Sequence, residues 1–273
     1  MTADFKLSCV LFDLDGTLVD TAPDLISCLN RALNVHGFDA VADEIIKPFI
    51  SYGAAAMINA SQPALDDLLK ADILETMLTR YQNNIAEHTV FFSGMVDTLA
   101  AIEAQGLKWG VVTNKRERFT KPLMDALKLT GRAACIVSGD TTANPKPHPE
   151  PMLLACKQAG VNPQECVYIG DALHDITAGK SVQMKTLAAL YGYIKPGDNP
   201  ETWGADALIE SPGQISIWID SATAPCVALP PASVQSSATA PASPKAPTVG
   251  ALDRCSGRDS TSPIPPMEPL SCR

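Results

Sequence analysis

The sequence predicts an α/β protein: a Rossmann-like parallel sheet wound with helices, carrying an inserted α-helical cap and a disordered C-terminal tail. Three observations carry this expectation. Short apolar runs at 7–12, 109–113, 133–137, 166–169 and 186–190 read as strands buried on both faces, as the strands of parallel sheets are. Helix-length patterns at 96–105, 116–127, 149–159 and 175–182 alternate with them, which is the arrangement of a sheet wound by crossover helices. The third observation is an interruption. The first run ends at Phe12 and the next core strand begins near Trp109, far beyond the roughly 30 residues of one strand-helix-strand unit.

The interruption has a helical pattern from 22 to 88. Leu25, Leu29, Ala32 and Leu33 form one stripe, and Leu65, Leu68, Leu69, Ile73, Met77, Leu78 and Tyr81 form another. Both stripes read as helix core. The expected division is therefore a core of residues 1–20 and 91–220 and a cap of residues 21–90. The cap would lie over the carboxyl end of the sheet, where ligands of such sheets bind. After Ile219 the composition changes: 28 of the 53 positions in 221–273 are Pro, Ser or Ala, without apolar periodicity. Such a segment cannot bury enough surface to offset its ordering entropy, so disorder is expected there, as a partner-binding segment or a dispensable extension.

Composition removes several classes of function. Hydrophobic residues make up 46% of the chain and charged ones 19%, enough for a sizeable core. Lys plus Arg number 21 against 30 Asp plus Glu, a net charge of −9 whose acidic excess falls on the folded part, so nucleic acid is not an expected partner. No apolar run approaches the ~20 residues of a membrane span, and neither a signal peptide nor an anchor is expected. The eight cysteines include no pair with zinc-knuckle or redox-motif spacing. Cys9, Cys135 and Cys166 sit inside apolar runs as small hydrophobes, and a reducing cytoplasm is the expected compartment.

The chemistry concentrates at strand ends. The first strand runs into Asp13-Leu14-Asp15-Gly16-Thr17, and side chains two apart share a face of an extended segment, so both carboxylates can enter one pocket. Two such groups repel each other unless a cation intervenes. Oxygen ligands with an open coordination sphere suit Mg2+, which completes its shell with water and substrate phosphate. A second apolar strand ends in Gly170-Asp171, with Asp175 four residues on. Asp171 can close the metal site from a neighbouring strand, and Asp175 can orient a metal-bound water or a lysine, or simply cap the next helix. Thr113 and Asn114 end a third strand with a hydroxyl and backbone amides suited to phosphate oxygens. Lys146, between Pro145 and Pro147, would neutralise negative charge on nucleophile and phosphate together.

In this order, strand-DxDGT, strand-Thr, loop-Lys and strand-GDxxxD, the sequence resembles the haloacid dehalogenase superfamily of phosphatases, more narrowly its phosphoglycolate phosphatase-like members. The resemblance spans roughly 7–220 and excludes the tail. The phrases WGVVTNK at 109–115, YGYI at 191–194, DNP at 198–200 and WGAD at 203–206 look like the branch that includes N-acetylmuramic acid 6-phosphate phosphatases. The resemblance implies that Asp13 is a nucleophile forming an aspartyl phosphate, and that Asp15 is the acid for the leaving alkoxide and then the base for water. It implies Mg2+ bound by the side chains of Asp13 and Asp171 and the backbone carbonyl of Asp15. Thr113 and the amide of Asn114 would hold the phosphoryl group, and Lys146, oriented by Asp175, would pair with Asp13.

The expected function is thus hydrolysis of a small phosphorylated metabolite. At family level the substrate is 2-phosphoglycolate, with N-acetylmuramic acid 6-phosphate as the alternative, toward which the small Ala54, Ala55 and Ala56 lean. The same core chemistry would serve a phosphosugar mutase, and a non-catalytic binding module is disfavoured by the intact Asp13, Asp15, Lys146 and Asp171. Gly179-Lys180-Ser181 lacks the upstream glycine of a nucleotide loop, and the four histidines show no metal-binding pair. Ser51-Tyr52-Gly53-Ala54 reads as a specificity loop or as a plain turn between helices.

Overall fold

In the computed structural model, residues 5–223 are described. The expected tail lies outside the described residues except for 221–223. Six parallel strands form the main sheet: β1 (Cys9–Phe12), β4 (Lys108–Val112), β5 (Ile136–Val137), β6 (Cys166–Gly170), β7 (Lys185–Ala189) and β8 (Ala207–Ile209), in the order β5-β4-β1-β6-β7-β8. A two-stranded antiparallel ribbon pairs β2 (Val19–Asp20) with β3 (Val90–Phe91). The chain leaves β1 to build β4 and β5 on one side and returns to β6 on the other. The carboxyl end of β1 is thus a topological switch point, where neighbouring connections diverge and leave a crevice.

Alternation along β1 divides the core. Val10 and Phe12 join α5 (Met95–Ala104), α6 (Glu117–Ala126) and α9 (Gly213–Thr223) through Leu99, Leu123 and Ile215. Cys9 and Leu11 face α7 (Glu150–Ala159) and α8 (Leu173–Ser181) through Met152, Ala155 and Ala178. Both faces being covered, the strands can be apolar throughout. The five described cysteines are buried and free, and Cys156 and Cys166 touch across this second face with sulfurs 3.8 Å apart. No helix among the described residues is long and apolar enough to cross a membrane.

Between β2 and β3 lie α1 (Ala22–Val35), α2 (Asp43–Ile46), a 3-10 turn (Lys47–Tyr52), α3 (Ala54–Ser61) and α4 (Asp67–Asn83). They bury their own cluster, with Leu29, Leu33, Ile46, Ile73 and Met77 fully enclosed. Of the second expected stripe, Ile73, Met77 and Tyr81 are buried, whereas Leu68 is exposed. Sequence reading anticipated five strands of the main sheet, β1 and β4 to β7, to within three residues at each end, β5 through the longer apolar run that contains it, and missed β2, β3, β8 and α9. Two- and three-residue strands are too short to display a period, and their pairing depends on the elements that bring them together.

Asp24, in the first turn of α1, ties the two chain crossings together. Its buried carboxylate accepts the backbone N–H of His88 at 2.8 Å, the N–H of Thr89 at 2.9 Å and the Thr89 hydroxyl at 2.7 Å. Asp24→Ala leaves these donors without an acceptor and is expected to cost about 3 kcal/mol in equilibrium urea unfolding. A loss below about 1 kcal/mol would show that the junction holds without it.

Candidate active site

Strand register assembles the site. Phe12 is level with Val111 on β4 and with Ile169 on β6, so the residues that follow each strand emerge side by side. Asp13 comes from β1, Thr113 from β4 and Asp171 from β6, all buried. The Asp13 N–H donates to the Ile169 carbonyl at 2.8 Å and the Thr113 N–H to the Val137 carbonyl at 2.9 Å, so sheet hydrogen bonding continues into the catalytic residues. Gly16 turns the chain away with φ +85°, and a Cβ there would stand 2.2 Å from Asp171 Oδ2. At Gly170 a Cβ would collide with the Asp175 side chain at 2.3 Å. Both glycines are required because carboxylates occupy the space a side chain would take.

Lys146 is the centre of the cluster, with its side chain fully buried. Its ammonium donates to Asp13 Oδ1 at 2.9 Å, Asp175 Oδ1 at 2.7 Å, the Val112 carbonyl at 3.0 Å and the Tyr168 hydroxyl at 2.7 Å. The Asn114 side chain fastens the Lys146 backbone, donating to its carbonyl at 3.0 Å and accepting its N–H at 2.9 Å. Burial works against the charged ammonium, but Asp13 and Asp175 outweigh it and hold the lysine above its ordinary range. Burial likewise opposes the Asp175 carboxylate, and Lys146 overcomes it, keeping that group ionised. Asp175 also accepts the Ala172 N–H at 3.0 Å, so it is both the cap of α8 and the partner of the lysine.

Three carboxylates remain against this one cation. Oxygens of Asp13, Asp171 and Asp175 lie within 4.8 Å of one another. Desolvation, then the charges of Asp13 and Asp175, push the Asp171 carboxyl up to about 8. Asp13 is also raised, by burial first, with Lys146 opposing. An all-oxygen cluster in which Asp13 and Asp171 both resist ionisation fits a hard divalent cation. Asp175 is committed to Lys146 and Ala172, which leaves Asp13 and Asp171 as side-chain ligands. Asp171 is oriented by the Thr17 hydroxyl at 3.2 Å, the Tyr193 N–H at 2.8 Å and the Ser51 hydroxyl at 2.7 Å.

Asp15 has a different environment. Its carboxylate accepts from the Thr21 hydroxyl at 2.6 Å and from Lys115 Nζ at 3.0 and 3.2 Å, so it could join a metal only through its backbone carbonyl. Lys115, which sequence reading did not single out, balances Asp15. Burial opposes the Lys115 charge, yet Asp15 more than compensates and raises its pKa. Lys115 was legible in principle, because it stands two residues beyond Thr113 and so on the same face of an extended segment. Tyr168 was hidden inside an apolar run. The turn carrying Ser51 and Tyr52 reaches the site: Ser51 bonds Asp171, and the Tyr52 hydroxyl donates to Asp198 at 2.5 Å. His174 lies 3.7 Å from Asp175, His148 is half exposed, and Gly179-Lys180-Ser181 is the end of α8.

A cavity of about 650 Å3 opens over these groups. Asp13, Asp15, Thr113, Asn114 and Lys146 line its polar end, and Leu25, Met57, Leu74, Leu78 and Phe119 its apolar end. The polar end sets one carboxylate, Asp13, beside the fixed cation of Lys146 and a second, Asp15, beside Lys115. For the metal-free protein, Asp171 is ionised in the unfolded chain above about pH 4 but holds its proton up to about 8 when folded. The folded state then binds more protons in that window, so this group makes stability fall as pH rises through it. Melting temperatures with chelator should decline from pH 5 to about 8 more steeply than those of Asp171→Asn. A saturating divalent cation should flatten the decline, and identical slopes for the two proteins would contradict the assignment.

Comparison with known proteins agrees with this geometry. The family model described as haloacid dehalogenase-like hydrolase matches residues 10–189. An N-acetylmuramic acid 6-phosphate phosphatase of Pseudomonas putida is 44% identical over 225 residues, covering 81% of this chain and all of the relative. A phosphoglycolate phosphatase of Xylella fastidiosa is 40% identical over 207 residues, covering 76% of this chain and 90% of the relative. The crystal structure of a predicted phosphoglycolate phosphatase from Haemophilus somnus superimposes with a TM-score of 0.70 at 25% identity, over 80% of this chain and all of that one. The chain belongs to the haloacid dehalogenase-like hydrolases, and its place among them is with the phosphatases.

Proposed function

We propose that the protein is a Mg2+-dependent phosphomonoesterase working through an aspartyl phosphate on Asp13, with N-acetylmuramic acid 6-phosphate as its substrate. The observation that carries the reaction is the buried Lys146 ammonium, bound to Asp13 Oδ1 and leaving the other oxygen of that carboxylate free to attack phosphorus. Thr113 and the backbone amide of Asn114 receive the phosphoryl oxygens, and the Lys146 charge lies beside them. Asp15, directed by Thr21 and Lys115, gives a proton to the departing alkoxide and takes one from the water that hydrolyses the acyl phosphate. Mg2+, held by Asp13, Asp171 and the Asp15 carbonyl, would supply positive charge against the phosphoryl oxygens. In this reading the helices between β2 and β3 are a cap that selects the leaving group, and residues 1–20 and 91–220 are the catalytic core.

The cavity favours the amino sugar over 2-phosphoglycolate. A two-carbon acid would leave most of about 650 Å3 unfilled and would be too short to reach the apolar wall of Leu25, Met57, Leu74 and Leu78. A pyranose with amide and ether substituents has both the bulk and the apolar surface for those walls. The relatives from two Pseudomonas species that carry the corresponding name, at 44% and 41% identity, support the same choice.

Two experiments test this. Purified enzyme, stripped with EDTA and restored with Mg2+, should hydrolyse N-acetylmuramic acid 6-phosphate with kcat/KM at least about tenfold above 2-phosphoglycolate, a discrimination within reach of pocket complementarity. The reverse preference would replace the substrate, and full activity without metal would remove Mg2+. In the second experiment Asp13→Asn should reduce phosphate release by roughly a thousandfold or more. Asp15→Asn should reduce it by about 10² to 10⁴-fold, as expected for lost acid-base help. Substantial turnover by Asp13→Asn would eliminate it as the nucleophile.

A further inference from the structure

One polar atom in the cavity wall has no part in the chemistry above. Tyr81, on α4, lines the cavity and is 1% exposed, and its hydroxyl has no hydrogen-bond partner within normal geometry among the described residues. The ring is held firmly, with Phe119 at 5.5 Å between centroids and the Lys115 ammonium over its face at 4.5 Å. The Lys115 ammonium thus lies against the ring and near enough to the phenol oxygen to pull on its proton, while its short hydrogen bonds go to Asp15. Every packing contact that Tyr81 makes would be made equally by phenylalanine, whose shape is the same and which buries no unsatisfied oxygen. Beyond its proximity to Lys115, the hydroxyl therefore has no well-formed bond that phenylalanine would lose.

Its surroundings define what it would bind. Leu74, Leu78 and Tyr81 follow one another on a single face of α4, and Leu25 and Met57 adjoin them, so no side chain on that wall competes for the hydroxyl. Burial pushes the phenol up to about 12, against the pull of Lys115, so the group is a proton donor at neutral pH. The positive charges of Lys115 and of Arg116, which also lines the cavity, favour a partner rich in lone pairs. Because Lys115 touches both Tyr81 and Asp15, the hydroxyl stands on the leaving-group side of the site.

We propose that Tyr81 is a specificity-determining residue whose hydroxyl donates a hydrogen bond to a carboxylate or amide oxygen on the alcohol half of the substrate. The inference rests on the phosphatase reading and adds to it the group that recognises the leaving alcohol. Its test is Tyr81→Phe with two probes, N-acetylmuramic acid 6-phosphate and phenyl phosphate, whose leaving group carries no such acceptor. The expected result is a fall in kcat/KM of about tenfold for the sugar phosphate, a change within about twofold for phenyl phosphate, and a melting temperature unchanged or raised. Equal falls with both probes, no fall with either, or a melting temperature lowered by several degrees would overturn the proposal. Hydrolysis of neither probe by the wild-type enzyme would instead overturn the phosphatase reading, and this inference with it.

Discussion

The structure depends on keeping negative charge buried. Asp13, Asp171 and Asp175 have been withdrawn from water at the carboxyl edge of two adjoining strands, β1 and β6, and only an internal cation allows them to stay there. Lys146 meets that demand by satisfying its ammonium completely, with two carboxylates, a carbonyl and a phenol. Removing one member of such a cluster strands the others, so the pieces are interdependent in a way that surface ion pairs are not. The arrangement is costly to bury and does not fully neutralise itself. That residue of uncompensated charge is what a divalent cation and a phosphoryl group would each answer.

The fold delivers this cluster with little local freedom. Strand register sets the heights of Asp13, Thr113 and Asp171, while Gly16 and Gly170 clear the space their carboxylate neighbours need. Lys146 arrives on a loop instead of a strand, and its position is secured by the Asn114 side chain, which grips its backbone on both sides. Asn114 was expected to contribute a backbone amide to phosphate; its side chain has this additional positioning role. Rigid strands and a tethered loop thereby hold the reacting groups in place before a substrate enters.

Much of this was legible because it repeats at strand ends. Apolar runs ending in DxDGT, TN and GD announced both the sheet and the residues at its edge, since a parallel sheet buried on both faces leaves a plain signal. Partnerships across the fold were not legible. Nothing local to Lys115 says that it meets Asp15 a hundred residues away, and nothing near Ser51 points to Asp171. Tyr81 was read as part of a core stripe, and it is buried as expected; the stripe conceals that its end faces a cavity and carries an unpartnered oxygen. Periodicity reports burial. It cannot report what a buried polar atom is paired with.

The Asp15–Lys115 pair bears on how the two carboxylates of one short motif can do different work. Asp13 lies in the charge-deficient cluster, whereas Asp15 has a nearly buried ammonium and a threonine hydroxyl of its own. Among the influences raising Asp13, desolvation leads and Asp15 contributes least, although only one residue separates them. Pairing with Lys115 confines the field of Asp15 to its own side of the cavity. The unbalanced charge is then concentrated between Asp13 and Asp171, where a cation would sit, and not spread across the motif. In this geometry the two aspartates of one short motif are differently paired, Asp13 with Lys146 and Asp15 with Lys115.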